Sequence, residues 1–350
     1  MRQRVAVALS GGADSAVAAL ILKQSPCEVL AMHLLLTNTP ASLAQLEQAQ
    51  ALSRRLGIEM HIVDLVQEFA SLVVAPFCSE YAAGRTPNPC VVCNRSIKFG
   101  VMLREALLRG ADRLATGHYA RVERHTGRSI LLRALDKRAD QSYFLYAVDG
   151  AAFERVLLPL GAMTRQEVHS MASDEGLPTG RPSRDLCFVN DRSYHFFMAS
   201  RVSSSGGDIV DTGGRVLGRH RGLPFYTVGQ RRGLGVALGE PQYVVRLDAR
   251  VNRLVVGTED ELYSEAATLR SLSWLAGKPP DGTMDVHAKA RLRSRGTSAH
   301  VTFSPGEAYV RFSEAQRAVA PGQSIVFYDE DIVLGGGVIH EAHGKARRAR

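Results

Sequence analysis

Val5-Ala6-Val7-Ala8-Leu9, followed at once by Ser10-Gly11-Gly12-Ala13-Asp14-Ser15, is the stretch that decides the fold. A short unbroken apolar run is the pattern of a parallel strand covered on both faces. Gly11-Gly12 breaks the run, and Ser15–Lys23 reads as a helix. Two glycines let a ligand approach the backbone closely. A helix starting there turns unpaired N–H groups and a partial positive charge toward an anion. Ser10 and Ser15 add hydroxyls, and Asp14 can hold Mg²⁺ against phosphates. An ordinary glycine turn with a capped helix is the alternative, and the strand–turn–helix context favours a phosphate loop. The Gly-x-x-x-x-Gly-Lys-Ser/Thr pattern of a Walker A loop is absent.

Working outward, strand and helix patterns alternate through residue 120. Val29–Leu36 is a second strand. Thr39-Pro40 opens a helix with a hydroxyl cap and a proline in the first turn, and Gly57 closes it. Glu59–Val63 is a third strand. Phe99, Met102, Leu103, Ala106 and Leu107 repeat at helical spacing before a short strand at Leu114–Thr116. This order predicts an α/β class with a doubly wound parallel sheet.

The far end follows another rule. In Met284–Arg293, apolar residues alternate strictly with Asp285, His287, Lys289, Arg291 and Arg293, which predicts a half-buried strand with a basic outer face. Short strands at His300–Phe303, Ala308–Phe312, Ser324–Tyr328 and Ile332–Leu334 complete a small antiparallel barrel.

Lys and Arg number 43 against 35 Asp and Glu, a net charge of +8, which suits a polyanionic partner as well as a merely basic enzyme. The 45% hydrophobic content excludes a disordered chain, and five cysteines in 350 residues exclude a disulfide scaffold. The opening apolar run is too short for a signal peptide and no run is long enough to span a bilayer, so no membrane association and a cytoplasmic, reducing location are expected.

Cysteine chemistry centres on Thr86-Pro87-Asn88-Pro89-Cys90-Val91-Val92-Cys93-Asn94. A helix beginning near Asn94 would lower the thiol pKa of Cys93. The C-x-x-C pair could equally be half a metal site, a redox pair or two buried residues, and Cys187 is the other chemically placed cysteine. Cys27 and Cys78 read as core.

At this point the chain resembles the bacterial tRNA-specific 2-thiouridylases of the MnmA/TrmU type. The matching pieces are SGGADS at 10–15, GRTPNP at 84–89, CN at 93–94, IKF at 97–99, ATGHY at 115–119 and DQSYFLY at 140–146. They continue with Cys187-Phe188, TVGQRRGLG at 227–235, PGQS at 321–324 and LGGG at 334–337. SGGADS itself resembles the PP-loop of ATP pyrophosphatases.

The resemblance implies a PP-loop catalytic domain over residues 1–195, with part of 154–177 packing on a central tRNA-binding domain at 196–245. It further implies a C-terminal β-barrel at 246–340 and a basic tail at 341–350. The implied reaction replaces O2 of the tRNA wobble uridine with sulfur, turning ATP into AMP and pyrophosphate. ATP would meet Ala8, Leu9, Ser10, Gly11, Gly12, Ala13, Asp14, Ser15, Leu34 and Gly117. The tRNA would meet Asn88, Pro89, His118, Ala139, Asp140, Gln141, Gln230, Arg231, Arg291, Leu292 and Gln323.

By the same resemblance Cys187 carries a persulfide supplied by a sulfur-relay protein or cysteine desulfurase. Cys93 is the nucleophile that attacks it and leaves a Cys93–Cys187 disulfide. The substrates would be the tRNAs for Lys, Glu and Gln, and the enzyme a monomer. One departure stands out: many members carry Asp three residues before the nucleophile, where this chain has Cys90. Two readings stay open. Cys90 substitutes as acid and base, or Cys90, Cys93 and Cys187 hold a [4Fe–4S] cluster. A small-molecule PP-loop synthetase is the competing function.

Overall fold

The computed structural model describes residues 2–179, 186–189, 194–236 and 239–344. The opening apolar run is β1 (Arg4–Ala8), with its central residues buried. α1 (Ala13–Gln24), β2 (Glu28–Leu35), α2 (Pro40–Leu56) and β3 (Glu59–Asp64) follow. The ends of α2 are where the residues demand them. The Ser42 N–H donates to the Thr39 hydroxyl, Pro40 fills the first turn, and Gly57 takes the left-handed conformation with φ 62°. A capping hydroxyl of this kind contributes about 1 kcal/mol.

Two longer helical runs come next, each containing a π-helical stretch. The first joins α3 (Val66–Phe69) through Ala70–Val74 to α4 (Ala75–Ala82). The second joins α5 (Pro89–Cys93) through Asn94–Met102 to α6 (Leu103–Leu108). β4 (Arg113–Ala115), the hairpin of β5 (Ala120–His125) and β6 (Arg128–Arg133), β7 (Val156–Leu157) and α7 (Arg165–Asp174) complete the first unit. Its sheet has the order β3-β2-β1-β4-β7, all parallel. The order turns back on itself between β1 and β4, and that switch point opens a crevice at the carboxyl ends of the two strands.

Val168, Ala172 and Leu177 are buried in the cluster formed by Ala16, Val17 and Leu20 of α1, whereas Val156 lies in the cluster that holds Phe197, Met198 and Val202.

After α8 (Tyr194–Ala199), the middle unit is a four-stranded sheet. Its strands are β8 (Gly207–Asp211), β9 (Val216–His220), β10 (Tyr243–Asp248) and β11 (Arg253–Gly257), in the order β10-β11-β8-β9. The boundary expected at 245 therefore moves. β11 lies parallel to β8, and Val244, Leu254 and Val256 share a core with Ile209, so these residues are not barrel.

The barrel consists of β12 (Tyr263–Trp274), β13 (Gly282–Lys289), β14 (Thr297–Ser304), β15 (Glu307–Arg317), β16 (Ser324–Asp329) and β17 (Ile332–Gly344). It closes through pairing of β12 with β17. Because β17 runs to Gly344, residues 341–344 are strand and not tail; 345–350 lie outside the described residues. Ala267, Leu269, Val286, Val301, Val310 and Phe327 pack together in the barrel core.

The first unit and the barrel share a core. Tyr143 and Tyr146 are buried beside Tyr328, Val326 and Val333. The Tyr143 hydroxyl donates to the Ser324 carbonyl at 2.8 Å and the Tyr146 hydroxyl to Ser324 Oγ at 3.0 Å. Among the described residues no helix is long and apolar enough to cross a membrane.

Candidate active site

The loop after β1 is built as a cradle. Leu9 N–H donates to the Met32 carbonyl, holding the strand end against β2. Ser10 N–H donates to Ser15 Oγ at 3.2 Å, and Ser15 Oγ donates to the Gly12 carbonyl at 2.9 Å. Gly11 has φ 85°, and a Cβ there would sit 3.0 Å from the Gln45 carbonyl of α2. A side chain at this position is disfavoured twice, by backbone conformation and by crowding against α2. Leu34, at the end of the adjacent β2, is half-buried against the core.

The loop after β4 closes over the start of α1. A Cβ on Gly117 would lie 2.9 Å from the backbone C and O of Asp14, so only glycine permits this approach. The Tyr119 hydroxyl donates to Asp14 Oδ1 at 2.8 Å. Burial, and then the hydrogen bond to Asp14, push the Tyr119 phenol far above its ordinary range, which keeps it a donor. The Asp14 carboxylate in the first turn of α1 suits Mg²⁺, a hard cation that prefers oxygen ligands.

His118 links this cradle to the cysteines. Its Nδ1 lies 2.7 Å from Thr116 Oγ1, and its Nε2 lies 3.4 Å from Lys98 Nζ. Burial, followed by the Lys98 charge, holds the imidazole well below its usual pKa, so it is neutral at pH 7. The network then assigns the tautomer: Lys98 donates to Nε2, and Nδ1–H donates to the threonine hydroxyl.

Cys93 is buried and Cys187 is exposed. Phe188 wedges beside Phe69, Phe77 and Phe197, anchoring the turn that carries Cys187. The thiols are close enough to interact electrostatically. Burial pushes both up; Cys93 raises Cys187 further, Cys90 raises Cys93, and Lys98 lowers both. The direction of the Cys187 shift is set by burial although the residue as a whole is exposed.

The expected low-pKa thiol at a helix start is therefore corrected. The helix begins at Pro89, with Asn88 as its cap residue, so Cys93 lies beyond the first turn and in the core. Helix-terminal stabilisation does not reach it, and the cation that favours its thiolate comes from Lys98. No local pattern in the sequence marks Lys98 as a partner of these thiols. Its five-residue offset from Cys93 is off-face in an α-helix; here the intervening turns are π-helical.

Lys98→Met tests that electrostatic part. A cation favours thiolate, so removing it raises both thiol pKa values and lowers the thiolate fraction at neutral pH. Thiolation at pH 7 is expected to fall about tenfold and to recover in part at pH 9. A pH–rate profile parallel to that of the unaltered enzyme would remove Lys98 from the chemistry.

Among the described residues no three His, Cys, Asp or Glu side chains are grouped to hold a metal ion. Cys90, Cys93 and Cys187 do not form such a group among the described residues.

Several residues expected to face tRNA are occupied within the fold. Asp140 is buried, and its carboxylate accepts from Ala134 N–H, Ser142 N–H and Ser142 Oγ. Gln141 Oε1 accepts from Tyr119 N–H at 3.0 Å, and Ala139 is buried. The Gln230 amide bridges Thr227 and Arg232 within its own loop, while Arg231 is exposed. Pro89 is buried and Asn88 half-buried at the start of α5.

The basic strand face also needs correction. β13 ends at Lys289, which is buried and lies over the Tyr328 ring at 6.0 Å, with Asp140 and Arg133 as charged neighbours. Arg291 and Leu292 are half-buried beyond the strand, so Lys289, Arg291 and Arg293 do not form one solvent-facing row.

Comparison with known proteins agrees with this arrangement. The family model described as "tRNA methyl transferase HUP domain" matches residues 3–191. A "tRNA methyl transferase PRC-barrel domain" matches 195–258 and an "Aminomethyltransferase beta-barrel domain" matches 264–339. The tRNA-specific 2-thiouridylase MnmA of Desulforudis audaxviator is 42% identical, covering 96% of this chain and 98% of its own. The chain belongs to the MnmA family. MnmA of Syntrophotalea carbinolica is likewise 42% identical over 96% of this chain and 98% of its own. Among solved structures, the U34-tRNA thiolase NcsA from Methanococcus maripaludis with its [4Fe-4S] cluster is similar at a TM-score of 0.37 and 19% identity. That match covers 57% of this chain and 63% of the other.

Proposed function

We propose that this chain catalyses ATP-dependent 2-thiolation of the wobble uridine of tRNA. One chain of contacts supports the reading: the Gly117 loop lies against Asp14, His118 meets Lys98 at 3.4 Å, and the Lys98 charge acts on both thiols. Activation by ATP and attack by sulfur need such neighbours, and MnmA membership supports the same substrate.

A uracil carbonyl oxygen leaves poorly. Attack of O2 on the α-phosphate of ATP expels pyrophosphate and makes that oxygen part of a good leaving group. The N-terminus of α1 and the Ser10–Ser15 loop hold the phosphates. Asp14 would hold Mg²⁺, which when bound neutralises phosphate charge.

A persulfide-bearing relay protein or cysteine desulfurase loads sulfur onto exposed Cys187. The terminal sulfur attacks C2, and AMP departs with the C2–O bond electrons. The Cys93 thiolate attacks Cys187 Sγ. The bond between Sγ and the transferred sulfur breaks, its electron pair stays as the thiocarbonyl, and a Cys93–Cys187 disulfide forms. A dithiol reductant supplies two electrons to reset the pair. No step runs through a cluster. Cys90, in the first turn of α5, exchanges a proton in place of the family's Asp.

Pyrophosphate release measured with and without tRNA tests the reading. Release that requires a tRNA with a wobble uridine is expected. Equal release without tRNA would point to a small-molecule synthetase.

A further inference from the structure

The segment leading into the Cys93 helix is gripped by the barrel. Thr86 N–H donates to the Pro321 carbonyl at 2.8 Å. Gln323 Nε2 donates to the Thr86 carbonyl at 2.9 Å and to the Pro87 carbonyl at 3.3 Å. A side-chain amide has two N–H donors, and both have partners here. Gly322 has φ 92°, and a Cβ on it would lie 2.9 Å from the Thr86 backbone N and C. The gripping turn is itself fixed. Gly322 N–H donates to the Ile339 carbonyl, and Ile339 N–H donates to the Gln323 carbonyl.

The other side of the segment is held too. Gly84 faces the middle unit, where a Cβ would meet Ala249 and Leu247 side chains at 3.3 and 3.4 Å. Residues 84–87 thus run between both accessory units. Pro87 and Pro89 stiffen the path onward, and Cys93 lies four helical residues beyond Pro89, about 6 Å along the axis. Little slack remains between Gln323 and the thiol.

We propose that the Ala320–Gln323 turn of the barrel is a positioning element for Cys93, with Gln323 as the positioning residue acting through Thr86 and Pro87. The proposal rests on the reading of Cys93 as the sulfur-transfer thiol, and it gives Gln323 a part other than tRNA contact. The barrel registers the thiol against Lys98 before any substrate arrives.

The experiment uses the full chain without tRNA or ATP. Iodoacetamide labelling of Cys93 is followed by peptide mass spectrometry, with Cys27 in the separate α1 cluster as internal reference. In Gln323→Ala and Gln323→Glu, Cys93 labelling relative to Cys27 should rise about tenfold, the population shift expected from losing two ordinary hydrogen bonds. Gly322→Ala should do the same by pushing Thr86 away. At saturating tRNA, the ratio of thiolated to adenylated tRNA should fall by a similar factor in the Gln323 variants.

A residue that only contacts tRNA would leave labelling unchanged and recover thiolation at saturating tRNA; that pair of results overturns the proposal. A general loss of folding would raise Cys27 labelling in parallel, and a Cys93-to-Cys27 ratio unchanged on that account also overturns it. The underlying reading fails separately, if Cys93→Ser still thiolates tRNA while labelling responds to Gln323.

Discussion

Cys93→Ser and Cys187→Ser enzymes are expected to go on adenylating tRNA while transferring no sulfur. A serine hydroxyl neither carries a persulfide nor opens one, so thiolation should drop at least about 10³-fold in each variant. The two failures differ in kind. Cys187→Ser should accept no sulfur from the donor, because the exposed acceptor is gone. Cys93→Ser should accept sulfur from the donor and, once given ATP and tRNA, stall with that sulfur linking Cys187 to C2, because the release step is gone. Intact-protein mass spectrometry distinguishes them by the 32 Da of one sulfur atom. Cys27→Ser should remain active, since its thiol sits beside α1 and donates to the Leu22 carbonyl at 3.3 Å. Full thiolation by Cys187→Ser would remove the persulfide route.

Loss of the Asp14 carboxylate should act one step earlier. Asp14→Ala and Asp14→Asn are both expected to lower tRNA-dependent pyrophosphate release by about 10²- to 10³-fold, the scale on which a preorganised electrostatic group contributes to a transition state. The pair separates charge from architecture. Asn retains an oxygen to accept from Tyr119, whereas Ala leaves that hydroxyl without its partner. Asn should therefore melt close to the unaltered protein and Ala somewhat lower, with activity lost in both. An Asp14→Asn enzyme that releases pyrophosphate at the normal rate would show that the charge beside the phosphates is dispensable.

The sequence made the doubly wound sheet legible because its signals are local. The apolar β1, the Gly11-Gly12 break, and the Thr39, Pro40 and Gly57 ends of α2 each act within a turn or a strand. The phosphate loop was legible for the same reason.

What remained hidden depends on distant packing. Alternation in β13 separates two faces but does not say what covers the outer one, and Tyr328 of the neighbouring β16 lies over Lys289. Asp140 is expected at the tRNA by resemblance, and nothing local signals that backbone N–H groups from Ala134 and Ser142 donate to its buried carboxylate. The pKa of Cys93 is governed by burial within a core drawn from many elements. Lys98 escapes a 3.6-residue periodicity because π-helical turns change the register beneath it. The hold of Gln323 on Thr86 spans 237 positions, beyond any local pattern.

A single site that joins ATP activation to sulfur transfer must make one product from both. Nucleoside mass spectrometry on unmodified tRNA tests it most directly, after incubation with the enzyme, ATP, Mg²⁺, a persulfide donor and a dithiol reductant. 2-Thiouridine is expected at the wobble position, in amounts that match the AMP formed and vanish when ATP is left out. AMP accumulating with no thiolated uridine, or 2-thiouridine forming equally without ATP, would contradict it.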